Sequence, residues 1–134
     1  MPTSKSNKAL ATNHSHSHHR KPVRIGITPG DPAGIGPDIV IQWAQQAQQA
    51  QCVAVANGEM LLARAKQLNL PLKLSRFDPS NAAQNTDAGE LCIIEVELND
   101  TVKPGQGKVT SSAYVIECLY QASRHCLDGS LDAL

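Results

Sequence analysis

The feature that most constrains this chain is residues 29–37, where three prolines and three glycines interleave between a β-branched run and a helical period. The run before it, Val23-Arg24-Ile25-Gly26-Ile27-Thr28, reads as a strand that stops at the turn signal Pro29-Gly30. Pro37 suits the first position of a helix, where its missing N–H costs nothing. Asp38 sets a negative charge against the positive end of that helix. Val40, Trp43, Ala44 and Ala47 then recur at helical spacing, with Gln42, Gln45, Gln46, Gln48 and Gln49 on the other face. A strand that feeds a helix through such a turn aims backbone N–H groups and a helix N-terminus at one point. That arrangement attracts anions.

The alternation continues along the chain. Residues 52–56 are apolar enough for a buried strand, closed by Asn57-Gly58. Residues 59–68 read as a helix with Leu61, Leu62, Ala65 and Leu68 on one face, stopped by Asn69 and Pro71. Residues 72–74 suggest a short strand, and 78–89 a surface loop rich in Asn, Pro and Ser. In 91–98, Cys92, Ile94, Val96 and Leu98 alternate with Glu95 and Glu97, which predicts a strand with one wetter face, near a sheet edge. Pro104, Gly105 and Gly107 mark a loop over 100–108. Ser111 or Ser112 then caps a helix to about residue 127, with Val115, Leu119, Ala122 and Cys126 as its core stripe. Asp128-Gly129 ends it, and 131–134 begin a further strand. This order predicts an α/β fold with an open, largely parallel sheet flanked by helices and right-handed crossovers.

Composition excludes other classes. Among 134 residues, 12 Lys+Arg balance 12 Asp+Glu, which argues against binding nucleic acid along a whole surface. At 41% hydrophobic and 18% charged the chain is not of disordered composition, and no stretch approaches the roughly 18 apolar residues of a membrane span. One Trp, one Phe and two Tyr leave the core to aliphatic side chains. Residues 1–22 differ: they are rich in Ser, Asn, Lys and His and read as a disordered tail, with His14, His16, His18 and His19 close together. The folded portion is expected over 23–134. Cys52, Cys92, Cys118 and Cys126 form no C-x-x-C pair and read as reduced thiols of a cytoplasmic protein.

The proline–glycine loop ends in neither G-K-S nor G-K-T, so it is not a Walker A loop. Gly34-Ile35-Gly36 is followed by Pro37-Asp38-Ile39, so the third glycine of a dinucleotide fingerprint is missing. From the residues alone it is a tight strand-to-helix turn or a ligand contact. The whole of Arg24-Ile25-Gly26-Ile27-Thr28-Pro29-Gly30-Asp31-Pro32-Ala33-Gly34-Ile35-Gly36-Pro37-Asp38 resembles the N-terminal signature of the 4-hydroxythreonine-4-phosphate dehydrogenase family. Ala54-Val55-Ala56-Asn57-Gly58 with Leu61-Leu62-Ala63-Arg64-Ala65 resembles its second strand and helix. Pro104-Gly105, followed by Ala113-Tyr114-Val115-Ile116-Glu117-Cys118-Leu119, resembles a later loop and helix.

The resemblance implies a fold like that of isocitrate and isopropylmalate dehydrogenases. It also implies oxidation of a phosphorylated hydroxy amino acid with NAD or NADP, followed by decarboxylation, in pyridoxal phosphate biosynthesis. It brings a divalent metal (Zn, Mg or Co), a small-molecule phosphorylated substrate and a homodimer, with no nucleic acid and no membrane partner. The loop residues Gly30, Asp31, Gly34, Ile35 and Gly36 are the expected cofactor contacts. No catalytic or metal-binding residue is assigned, and His125 is expected to be structural. The family's T-G-P-x-x-K and G-H-T motifs and its metal-binding histidines are expected beyond Leu134. The chain is therefore expected to be an N-terminal portion that is inactive alone. Other readings are a non-catalytic relative, an enzyme for another phosphorylated hydroxy acid or a cis-dihydrodiol, and a small nucleotide-binding module.

Overall fold

A computed structural model describes residues 20–134. Most of the expected tail, residues 1–19, lies outside the described residues. Four strands, β1 (Arg24–Ile27), β2 (Gln51–Ala56), β3 (Lys73–Arg76) and β4 (Glu90–Glu95), form one sheet in the order β1-β2-β4-β3. Every neighbouring pair is parallel. Three helices accompany them: α1 (Gly36–Trp43), α2 (Gly58–Gln67) and α3 (Ser111–Leu127).

The unbroken apolar run of β2 is what a strand covered on both faces requires. Cys52, Ala54 and Ala56 pack against Val40, Ile41 and Ala44 of α1 and Met60, Leu61 and Ala65 of α2. Val53 and Val55 point the other way. Val55 meets Val96 and, from α3, Tyr114, Cys118 and Ala122, while Val53 meets Phe77 and Leu131. The fold is thus α/β, with α1 and α2 on one face and α3 on the other.

Several expectations are corrected. β4 lies between β2 and β3, so it is interior, and β3 is the edge. Its wetter appearance came from Glu95 and Glu97, which stand at and beyond the strand's end. α1 stops at Trp43, which leaves Ala47 outside it and Trp43 39% exposed. The buried stripe of α3 is Tyr114, Cys118 and Ala122, and Leu119 faces solvent. A helix with apolar residues on two adjacent stripes offers two registers, and the sheet selects one. Ser111 and Ser112 do not cap α3; its N-cap is Thr110, and no side chain closes it.

Asn69 does stop α2. It adopts φ 54, its N–H donates to Lys66 O at 3.2 Å, and Leu70 N–H donates to Ala65 O at 3.0 Å. That pair of bonds is the Schellman motif. The segment 77–89 returns from β3 to β4 without a helix, yet it is not wholly superficial. Phe77, Ala83 and Thr86 are buried, and Thr86 Oγ1 accepts from Cys52 N at 2.8 Å. Where the further strand is expected, Ala133 makes a single isolated parallel bridge to Ile25 on the free side of β1.

Candidate functional site

β2 continues into α2 on one face, and β4 leads to α3 on the other. Their adjacent carboxyl ends therefore form a topological switch point, where open α/β sheets hold their ligands. A cleft of 230 Å³ opens there, lined by Asn57, Glu59, Met60 and Gln67 on one side and Asp100 and Val102 on the other. Asn57 organises its base. Its Oδ1 accepts from Met60 N at 2.9 Å and caps α2, while its Nδ2 donates to Val96 O at 3.2 Å. Its own N–H donates to Tyr114 Oη at 2.8 Å. Burial pushes the Tyr114 hydroxyl well above the usual phenol range, so it stays protonated.

The proline–glycine loop sits beside this cleft, at the end of β1. Asp31 Oδ1 accepts from Ala33 N at 2.9 Å, and Gly34 N donates to Asp31 O at 3.0 Å, which closes a tight turn. Gly36 is demanded by packing: a Cβ there would stand 1.7 Å from Pro29 O. Gly30 takes φ +80 with open space around it. Gly34 turns its carbonyl to Arg64, and Ile35 is 71% exposed at the N-cap of α1. Chain packing thus accounts for Gly36, whereas Asp31 and Ile35 face outward and a Cβ at Gly34 would meet Asp31 O at 3.3 Å, a far milder contact than at Gly36. Asp31 also lines a second cleft, of 220 Å³, with Lys108, Ser111 and Ser112. The loop that follows β4 closes over the first one through Gly105 N and Ala33 O at 2.8 Å.

Arg64 is the residue that sequence reasoning missed. It is only 5% exposed, and its guanidinium joins α2 to two loop carbonyls and to Asp38 in the first turn of α1. Nη1 reaches Asp38 Oδ1 at 2.6 Å and Gly34 O at 3.2 Å, and Nη2 reaches Pro32 O at 2.8 Å. The available signal was its position: it lies beside Ala65 and four residues after Met60, on the stripe that packs inward. Arg24 is buried on β1 in the same manner. It donates to Gln51 Oε1 at 2.8 Å and lies 5.5 Å from the Phe77 ring centroid.

No family model matches the sequence. Curated relatives do, among them the 4-hydroxythreonine-4-phosphate dehydrogenase of Pseudoalteromonas atlantica, 44% identical over 115 residues, and that of Sodalis glossinidius, 45% identical over 111. The chain is homologous to the 4-hydroxythreonine-4-phosphate dehydrogenases. The first alignment covers 84% of this chain and 34% of the relative, so the chain spans about a third of the length of the proteins it matches. A solved 4-hydroxythreonine-4-phosphate dehydrogenase from Klebsiella pneumoniae superposes with a TM-score of 0.69 at 24% identity, covering 84% of this chain and 35% of that one. A structure described as a putative 4-hydroxythreonine-4-phosphate dehydrogenase from Salmonella typhimurium gives 0.69 at 21%. These structures carry the same fold over the matched region.

Among the described residues no three His, Cys, Asp or Glu side chains converge on one point, so this donor set does not fit a divalent metal. His125 stands apart, edge-on to Phe77 with ring centroids 6.1 Å apart, its Nδ1 buried without a partner. The four cysteines are free, and burial raises the Cys52 and Cys118 thiols. No helix among the described residues is long and apolar enough to cross a membrane.

Proposed function

We propose that this chain forms the part of a 4-hydroxythreonine-4-phosphate dehydrogenase that flanks the nicotinamide cofactor. The enzyme so formed oxidises the secondary alcohol of the phosphorylated hydroxy amino acid, and the β-keto acid decarboxylates, within pyridoxal phosphate biosynthesis. The observation that carries this reading is the identity of 44–45% with curated relatives of that name. NAD or NADP supplies the hydride acceptor when bound. Asp31 offers a carboxylate oxygen, Oδ2, that the Ala33 amide does not use and that is free to accept from a cofactor hydroxyl. Ile35 offers an exposed apolar surface beside it. Gly30, Gly34 and Gly36 shape the turn that holds both, and Arg64 anchors the turn. Any divalent metal takes its ligands from outside the described residues. A homodimer and a cytoplasmic location complete the reading; the reduced thiols suit the latter.

Calorimetric titration of the chain with NAD tests the cofactor assignment. Saturable binding is expected, weakened about tenfold or more in Asp31→Ala, since a hydrogen bond to a charged group is worth about 1.5–3 kcal/mol. No heat at millimolar NAD with a folded chain overturns it.

A further inference from the structure

We propose that the outer face of α3 is an interface on which a second copy of this chain docks, α3 against α3 and antiparallel. The inference rests on the homodimer reading above and deepens it, because it names the surface that joins the copies. A helix laid on a sheet buries one stripe and leaves the opposite one to water, where polar residues belong. α3 departs from that pattern. Its buried stripe is Tyr114, Cys118 and Ala122, yet Ile116, Tyr120 and Leu127 on the other side are 66%, 55% and 88% exposed. Large apolar side chains in one exposed row mark an interaction surface.

The row is spaced as the seam of a helix pair. Ala113, Tyr120 and Leu127 recur at heptad spacing, with Ile116 and Ser123 between them, which are the a and d positions of such a seam. All of them are exposed. The flanking charges choose the occupant. Glu117 and Arg124 follow Ile116 and Ser123 directly, so they stand on the same edge of the seam, one heptad apart. In an antiparallel pair, each layer joins an a position to a d position and like edges face one another. Setting Tyr120 against Ser123 of the second copy brings Ile116 against Leu127 and Glu117 against Arg124. A two-fold axis repeats every contact, so one helix supplies both halves of two ion pairs. A parallel pair would set Glu117 against Ser112 and Arg124 against Leu119 and match no charges. Both charged side chains are already oriented. Gln121 Nε2 donates to Glu117 Oε1 at 2.7 Å, which leaves Oε2 for the pair, and Arg124 lies 5.8 Å from the Tyr120 ring centroid. The 17 residues of α3 span about 25 Å, so the contact is small beside the roughly 800 Å² per partner of a standard interface. The dimer is therefore a reversible one that dissociates on dilution.

Sedimentation equilibrium of the chain across a wide concentration range tests this. A monomer–dimer equilibrium is expected. Glu117→Arg sets like charges against each other twice and should weaken the dimer about tenfold or more, and Arg124→Glu should do the same. The double variant Glu117→Arg, Arg124→Glu exchanges the two signs and should bring association back near the parent value. Ile116→Asp should abolish it and leave the Tm of the monomer unchanged, because that side chain is exposed. A chain that stays monomeric at millimolar concentration overturns the proposal together with the homodimer reading. A dimer indifferent to both single charge variants and to Ile116→Asp overturns this surface alone and leaves a homodimer joined elsewhere. Single variants that weaken the dimer without recovery in the double variant overturn the antiparallel register, and the proposal with it.

Discussion

Arg64 shows how one side chain ties elements together. It pairs with Asp38 and donates to two loop carbonyls, so removing it leaves a part-buried carboxylate and two acceptors unmatched. Arg64→Leu should lower unfolding free energy by about 3 kcal/mol, toward the low end for a broken buried pair because Asp38 remains partly wet. Denaturant titration measures it, and a loss below about 1 kcal/mol would mean that the loop holds without the clamp. The buried thiols set an alkaline limit. Burial raises Cys52 and Cys118 above their ordinary value of 9.0, so the folded state keeps protons that the unfolded chain releases. Their contribution is complete below pH 9 and is lost as pH rises through the folded values. Stability should therefore fall above pH 9, and the double variant Cys52→Ala, Cys118→Ala should flatten that slope in denaturation midpoints taken across the alkaline range.

At the scale of elements, the loop's two ends were plain in the residues: Pro37 starts α1 and Pro29-Gly30 stops β1. Asn69 behind α2 and Gly129 behind α3 were equally plain, because left-handed backbone at a helix end needs such residues. Less visible was which face each helix buries. α3 carries Val115, Leu119 and Ile116 as well as Tyr114, Cys118 and Ala122, and only its seat on Val55 and Val96 decides between them. The terminal segment is another case. Leu131 fills the space between Val53 and Phe77, and Ala133 makes an isolated bridge beside β1. Leu131→Ala should cost about 2–4 kcal/mol, the range for a buried leucine truncated to a cavity. A thermal unfolding scan with an unchanged Tm would show that this segment merely rests on the sheet.

For the whole molecule, the sheet order ranks local stability. β2 and β4 are interior and paired on both sides, whereas β3 is a four-residue edge with mostly exposed side chains. Amide exchange should be slowest in residues 52–55 and 92–94 and fastest in the edge strand; equal protection across all four strands would contradict a single cooperative core around β2. Local chemistry was readable in the chain itself: turn residues, caps and apolar periods act over a few positions, so they specify strands, helices, the α/β class and the tight turn over residues 29–37 without outside help. The tertiary structure alone decided which strand lies at the edge, which stripe of α3 is buried, and that Arg64 reaches the loop thirty positions before it. Those outcomes depend on contacts between segments distant in sequence, and no local propensity encodes them.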